Sequence, residues 1–175
     1  MMGKLISGLA AAVLLVGVGT AFAWDAAGEK NAMVAIAEFK KADPSMDAFF
    51  SKAHGYAVFP EITKGGIGIG GAGGDGTVFE QGQAVGSSEM SQLTIGLQLG
   101  GQTYREVIFF EDQAALDNFK GGNFEFAAGA SAVAAKEGAS KAAGYEKGVA
   151  IFTMAKGGLM FEAAIGGQKF SYQPR

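Results

Sequence analysis

The sequence contains no cysteine, a single histidine and three prolines among its 175 residues. Without cysteine, disulfide bonds, thiolate catalysis and cysteine-ligated zinc are excluded. A lone histidine, His54, cannot form a histidine-rich metal site, and no Gly-x-Ser-x-Gly motif offers it a nucleophile to activate. The formal net charge of −3 also argues against a general nucleic-acid binder, which is usually basic. We therefore expect no enzyme activity, no cofactor, no metal and no nucleic-acid partner.

The first 23 residues have the pattern of a secretory signal peptide. Lys4 supplies a basic start, residues 5–18 are apolar, and Ala21 and Ala23 frame a small-x-small cleavage site. The apolar run is short for a membrane-spanning helix, so an uncleaved anchor is the less favoured alternative. We expect cleavage after Ala23, a periplasmic or secreted location, and one domain over residues 24–175.

Glycine, in contrast, is abundant, with 29 residues, and its densest run covers 64–76. This run is similar to a nucleotide-binding loop, but the helix that such loops require does not follow it. Ile67 and Ile69 alternate with glycines, which is the period of a β-strand. Glycine inside a strand costs roughly 0.5–1 kcal/mol relative to alanine. The run therefore indicates a sharply coiled small sheet or a structure packed directly on the backbone.

Two helices are predicted at the start of the domain. Residues 24–42 place Ile36 and Phe39 on one apolar face. Asp43, followed by proline, is suited to begin a second helix that ends near residue 53. His54 falls at the end of that helix, where it is expected to complement the helix dipole.

From residue 55 the period of the apolar positions changes to two, which predicts strands. One short helix is predicted at 112–120, and the gaps between strands are of hairpin length. The predicted strands cover 55–60, 64–76, 77–80, 83–88, 91–100, 103–110, 124–135, 145–154, 159–166 and 168–172. We expect a mainly β (α+β) architecture: a small antiparallel, glycine-rich barrel or tight sandwich, preceded by two helices over 25–53, with one short helix inserted.

Two lysines precede glycine pairs. Lys64 and Lys156 each stand beside glycine backbone, whose free N–H groups together with the lysine charge can hold a phosphate. Glu106, Glu111 and Glu162 are carboxylates that a glycosidase-like pair would need. We expect most of these glutamates to be solvated surface charges, which is the usual environment of glutamate.

Several blocks of the sequence occur in an order that is typical of one known family. They are 55–60 (GYAVFP), 64–71 (KGGIGIGG), 95–102 (IGLQLGGQ), 107–110 (VIFF) and 156–159 (KGGL). Together they resemble the SYLF (Ysc84-type) lipid-binding domain family. The resemblance implies a single β-rich, non-enzymatic domain that binds lipid, helped at membranes by a preceding amphipathic helix. Eukaryotic members bind phosphoinositides. This chain differs in its export signal and its net negative charge, so an anionic or zwitterionic envelope phospholipid is the expected ligand.

The predicted lipid-binding site combines both lysines with nearby glycines and isoleucines. Its residues are Lys64, Gly65, Gly66, Ile67, Ile69, Lys156 and Gly157. The face of the first helix at Ile36 and Phe39 is the alternative apolar contact. The partner would be phospholipid or a membrane surface. Other interpretations stay open: an envelope structural or protein-interaction domain, a small outer-membrane β-barrel in which strand 91–100 turns Leu93 toward lipid, and a secreted hydrolase.

Overall fold

A single curved β-sheet carries helices on both faces. The computed structural model describes residues 25–96, 101–156 and 162–175. Its elements are α1 (Ala26–Ala42), a 3₁₀ turn (Pro44–Met46), α2 (Asp47–Lys52), β1 (Gly55–Glu80), β2 (Gln83–Gly96), β3 (Gln102–Phe110), α3 (Gln113–Lys120), β4 (Ser131–Ala134), α4 (Ala139–Ala142), β5 (Val149–Ala155), β6 (Glu162–Ala164) and β7 (Gln168–Pro174). In the described residues the strand order is β6-β4-β5-β3-β1-β2-β7.

The predicted α+β, mostly β architecture is confirmed, with corrections to its details. The sheet is mixed, because β4 runs parallel to β5, with Val133 opposite Phe152. It is not a closed barrel, since β6 and β7 are its two edges. Of the predicted extended segment 124–135 only β4 is a strand, and helix α4, which follows it, was not predicted.

β1 occupies two neighbouring positions in the sheet, because the chain reverses direction within it. Its first part (55–64) pairs with β3, and its second part (68–80) pairs with β2. The two parts lie side by side, and at their far end the Gln81 N–H donates to the His54 carbonyl oxygen at 3.1 Å. The reversal includes Gly66, whose φ of +140° is accessible to glycine and rarely to other residues.

The glycines of the second part of β1 allow its backbone to lie against the first part. A Cβ atom on Gly74 would be 2.3 Å from the carbonyl oxygen of Glu61, and one on Gly76 would be 2.6 Å from the Phe59 ring. Real Cβ atoms essentially never come so close to another atom, so a larger residue would separate the two parts. The glycine-rich run is therefore a strand, as predicted, and close backbone packing explains its composition.

α1 and α2 cover the outer face of the sheet, and the two predicted N-terminal helices are confirmed. α1 begins at Asp25, whose carboxylate accepts a hydrogen bond from the Ala27 N–H. It buries Ile36 and Phe39 together with small alanines. These side chains belong to a core that includes Tyr56, Val58, Phe79, Val107, Phe109 and Phe152 of the sheet. Burial of each large apolar side chain stabilises the contact by about 1.5–3 kcal/mol.

The inner face of the sheet encloses a second core. α3 places Leu116 and Phe119 in it, which confirms the helix predicted at 112–120. The curvature brings together strands that are not neighbours in the sheet: the ring centroids of Phe59 on β1 and Phe170 on β7 are 5.6 Å apart. Side chains of β3 and β7 can therefore meet inside the molecule, although β1 and β2 lie between them in the strand order.

Candidate functional site

The reversal of β1 and the adjoining part of β2 carry exposed apolar side chains. We call residues 64–70 and 91–94 the glycine tip. Ile67 is 82% exposed, Ile69 is 70% exposed and Leu93 is 72% exposed. Single exposed apolar residues are common on protein surfaces, but a group of them in one place marks a binding surface. The glycine tip is therefore the candidate site.

The usual arrangement of polar and apolar residues is inverted at the glycine tip. In the antiparallel β1–β2 pair, Ile69 lies opposite Ile95 and Gly71 lies opposite Leu93. Residues two apart on a strand share a face, so Ile69 and Leu93 lie on the same outer side. Gln92, one position from Leu93, is only 7% exposed and faces the interior. The sequence predicted this alternation but not which side faces solvent.

The structure brings most of the predicted site residues to this tip. Lys64, Gly65, Gly66, Ile67 and Ile69 follow one another along the reversal of β1. A Cβ atom on Gly65 would meet no other atom within 4 Å, so the backbone there is open to an approaching surface. Leu93 was not among the predicted binding residues, and its pairing with β1 adds it to the group.

The two predicted lysines lie at the same end of the sheet but differ in their charge environment. Lys64 is opposite Gln102 of β3, and the backbone N–H of Lys156 donates to the Thr103 carbonyl oxygen at 3.0 Å. The Lys156 ammonium is ion-paired with Glu61, and this hydrogen bond, with the lysine charge, lowers the pKa of the Glu61 carboxyl. Lys64 forms no ion pair with a described residue. Lys64 is thus the lysine whose charge is available to a phosphate.

The alternative apolar site on α1 is not available to a lipid. Ile36 and Phe39 are buried against the sheet, so the helix face that the sequence suggested belongs to the core. On its other side α1 exposes Met33 and Val34, which are 54% and 51% exposed. None of the described helices is long and apolar enough to cross a bilayer. Gly157, the last predicted residue, lies outside the described residues.

A cleft of about 660 Å³ lies between the start of α1 and the outer face of β1, β2 and β7. Its charged lining is acidic and consists of Asp25, Glu61, Asp75 and Glu89. Asp75 lies directly opposite Glu89 on the neighbouring strand. The described residues that line the cleft include no lysine or arginine. Since like charges repel, this cleft is unsuited to an anionic headgroup and does not extend the candidate site.

Glu106, expected at the surface with the other glutamates, is fully buried inside the sheet. Its Oε2 accepts a hydrogen bond from Gln168 Nε2 at 3.1 Å, and the same Nε2 lies 3.3 Å from the Tyr104 hydroxyl. Thr153 is its cross-strand neighbour on β5. Burial raises the pKa of Glu106 to about 7, although the hydrogen bond from Gln168 opposes this shift. The period of two along β3 would have placed Glu106 on the same side as buried Tyr104. The sequence prediction of a solvent-exposed side chain followed instead from the residue type, because glutamate is usually exposed.

In the described part of the chain, His54 takes part in contacts that connect elements of the fold. Its Nε2 lies 3.3 Å from Glu80 Oε1, and Lys120 donates to Glu80 Oε2 at 2.6 Å. The hydrogen bond from Lys120 is the main cause of the lowered pKa of Glu80. These contacts connect the end of β1 to α3. No group of three or more histidine, aspartate or glutamate residues able to hold a metal ion occurs in the described residues.

Comparison with known proteins identifies a family model and a relative that are similar to this chain. Residues 91–174 match the family model Ysc84, described as a Las17-binding protein and actin regulator. A curated relative, beta cell expansion factor A of Aeromonas veronii, is 34% identical over 129 residues. Residues 91–174 belong to the Ysc84 (SYLF) family. The predicted resemblance is thereby confirmed.

The Ysc84 match includes part of the candidate site. Leu93 and Lys156 lie within the matched residues, whereas 64–69 precede them. The alignment with the Aeromonas veronii protein covers 73% of this chain and 49% of that relative. The chain thus spans about half the length of the curated relative it matches, so membership of the Ysc84 family does not by itself transfer the activity of the whole relative.

Proposed function

We propose that this Ysc84-family protein binds phospholipid membranes by inserting the glycine tip, without chemical turnover. The observation that carries the proposal is the exposure of Ile67, Ile69 and Leu93 on one tip. Exposed apolar groups gain free energy when they leave water, and a lipid surface offers them an apolar environment. The lipid binding implied by the SYLF resemblance points to the same class of ligand.

Apolar insertion supplies most of the expected binding energy. Full burial of one aliphatic side chain of this size contributes about 1.5–3 kcal/mol. A lysine near an anionic bilayer contributes about 1 kcal/mol, and Lys64 is the available cation at the tip. The net charge of −3 opposes adsorption to anionic lipid. We therefore expect binding to zwitterionic phospholipid that changes little with salt.

Export to the periplasm or the exterior belongs to the same proposal. It is supported by the signal-peptide pattern of residues 1–23, which lie outside the described residues. A non-enzymatic role is supported by the environment of His54, which is engaged with Glu80. A protein partner in the envelope is the alternative.

Vesicle flotation with two matched double variants tests the proposal. Ile67→Ser with Ile69→Ser removes two exposed aliphatic side chains from the tip. Met33→Ser with Val34→Ser removes two from α1, which is the membrane-binding element that the SYLF resemblance suggests. We expect the tip variant to lose roughly tenfold or more in partitioning to phosphatidylcholine vesicles for each side chain that inserts. The α1 variant should bind like the unmodified protein.

Other results would count against the tip as the membrane contact. Equal binding by the tip variant and the unmodified protein would exclude insertion of Ile67 and Ile69. Loss of binding in the α1 variant alone would assign the contact to the helix. Absence of flotation with both phosphatidylcholine and phosphatidylglycerol vesicles at low salt would favour the protein-interaction alternative.

A further inference from the structure

The interior of the sheet contains several polar atoms without partners in the protein. Six buried side-chain oxygens in the described residues have no hydrogen-bond partner, and all belong to strand residues that face the interior: Ser88, Gln92, Thr94, Glu106, Thr153 and Gln168. Buried polar groups are normally paired, and each exception calls for a physical reason. Glu106 on β3 is hydrogen-bonded to Gln168 on β7 and lies opposite Thr153 on β5.

Hydrogen-bond donors are too few in this group for an ionised Glu106. Among the described residues, Gln168 Nε2 is the only side-chain donor that is hydrogen-bonded to the carboxyl, and it reaches Oε2. Oε1 has no partner, nor has the oxygen of Thr153 on the opposing strand. A buried carboxylate with one donor and no counter-charge carries a large desolvation cost. A neutral carboxyl removes the charge and with it most of this cost.

In the part of the chain that the structure describes, no cation forms an ion pair with Glu106. Tyr104, on the same strand, is the titratable group nearest to it on the interior side, and burial raises the pKa of this phenol, so it stays neutral. Of the charged residues in the neighbouring described elements, Arg105 pairs with Glu38, Lys156 with Glu61, Lys120 with Glu80 and Lys169 with Glu125. Lys64 lies at the glycine tip, opposite Gln102 at the other end of the β1–β3 pairing. Among the described residues the hydrogen-bond partner of Glu106, Gln168, is neutral.

We propose that Glu106 is a proton-operated latch between β3 and the C-terminal strand β7. With the carboxyl neutral, no charge is buried and Oε2 accepts from Gln168 on β7, which holds β3 and β7 together. When the proton is lost to solvent, the interior holds a carboxylate with one donor, and opening of β7 exposes it to water. Gln168 is the residue through which β7 responds, since its own backbone also binds Phe126 and Ile165.

The direction of the pH effect follows from linkage. The folded pKa of Glu106 is raised from its ordinary value of 4.5 to about 7. Stabilisation by the neutral form is therefore complete below pH 4.5 and is lost as pH rises to about 7. In that window the opening constant of β7 should rise by up to about tenfold per pH unit, and it should level off above it.

Carboxyl ¹³C NMR and hydrogen exchange of the purified protein test the latch together. We expect the Glu106 carboxyl resonance to show the neutral acid at pH 6, and the opening constant of the Gln168–Pro174 amides to rise with pH as described. Glu106→Gln keeps a neutral side chain of the same shape, so its opening constant should be independent of pH over the same range.

Several results would overturn the proposal. An ionised Glu106 carboxyl at pH 6 would do so, and if opening then depended on the concentration of sodium or potassium, a bound cation would be the explanation. The same pH dependence of opening in unmodified protein and Glu106→Gln would also contradict it. If Glu106→Gln does not fold, the NMR titration of the unmodified protein decides the question alone.

Discussion

At the scale of single residues, Asp43 is the side chain with the most hydrogen bonds in the described structure. One carboxylate oxygen accepts from the N–H and hydroxyl of Ser45, and the other accepts from the N–H and hydroxyl of Ser140 at 2.8 Å each. Burial alone would raise the pKa of Asp43, but these four hydrogen bonds favour the ionised form and lower the pKa well below its usual range. Asp43 thus joins the start of the 3₁₀ turn to α4.

Replacement of Asp43 tests the importance of this connection. Asp43→Asn keeps the size of the side chain but presents an NH₂ group to backbone and hydroxyl donors, leaving some of them unpaired. Each unpaired buried group costs about 1–3 kcal/mol, so we expect a loss of roughly 2–4 kcal/mol in the free energy of unfolding by urea at pH 7. The exposed Asp47→Asn is the control and should change it by less than about 1 kcal/mol.

The same variant has a defined pH signature. Because the folded pKa of Asp43 is depressed, its stabilisation is present above the ordinary value of 3.8 and is lost as pH falls below it. The urea midpoint should therefore fall less steeply on acidification in Asp43→Asn than in the unmodified protein. Identical acid profiles would show that Asp43 does not contribute through its charge.

The sequence predicted part of the environment of Asp43 but not the environment of Glu106. Asp43 was predicted as a helix N-cap, and its carboxylate accepts from the Ser45 N–H as such a cap does. Its second set of contacts comes from Ser140, 97 positions away, and no local pattern indicates it. Glu106 was expected in water because glutamate usually is. Its burial depends on the curvature of the whole sheet, which brings Gln168 to it.

At the scale of elements, the glycines of β1 have different structural requirements. Gly74 is in close contact with the backbone of the first part of β1, whereas Gly65 has no atom near its missing side chain. We expect Gly74→Ala to lower the free energy of unfolding by about 1–3 kcal/mol or more, as overpacking does. Gly65→Ala should stay within about 0.5 kcal/mol. Thermal or urea unfolding of both variants measures the difference.

Equal stability of the two glycine variants would contradict the close packing within β1. The contrast also separates two explanations of the glycine run. If the run served only to make the chain flexible, both substitutions would remove the same backbone freedom and have similar effects. If it serves to bring two strand segments together, only the glycines that face the other segment resist replacement.

Elements defined by local periodicity were predicted well. α1, α3 and β3 match their predicted ranges closely, because an apolar period and a cap or a glycine stop define each of them. The reversal inside β1 was not predicted, since alternating glycine and isoleucine fit a straight strand equally well. α4 was also missed, because its four residues are held by the distant Asp43 and not by their own helix propensity.

At the scale of the whole molecule, both faces of the sheet bury an apolar core, and three of the four exposed large apolar residues of the described strands lie at the glycine tip. Both cores are built from large aromatic and aliphatic side chains. At the tip the pattern is reversed, with Gln92 inside and Leu93 outside. Periodicity predicted that the two residues lie on opposite sides, but only the curvature of the assembled sheet determines which side is the interior. The sequence could therefore locate the candidate site at Ile67 and Ile69, but it could not show that Leu93 belongs to the same site.

Membrane depth at the glycine tip is the most direct measure of the central claim. Ile67→Trp and, as a control, Met33→Trp are each made in a Trp24→Phe background, so that every protein has one tryptophan. Fluorescence is recorded with phosphatidylcholine vesicles whose acyl chains carry bromine quenchers. Insertion of the tip predicts a blue shift and quenching for the tryptophan at position 67 and neither change at position 33. Quenching at position 33 with none at position 67 would contradict the account.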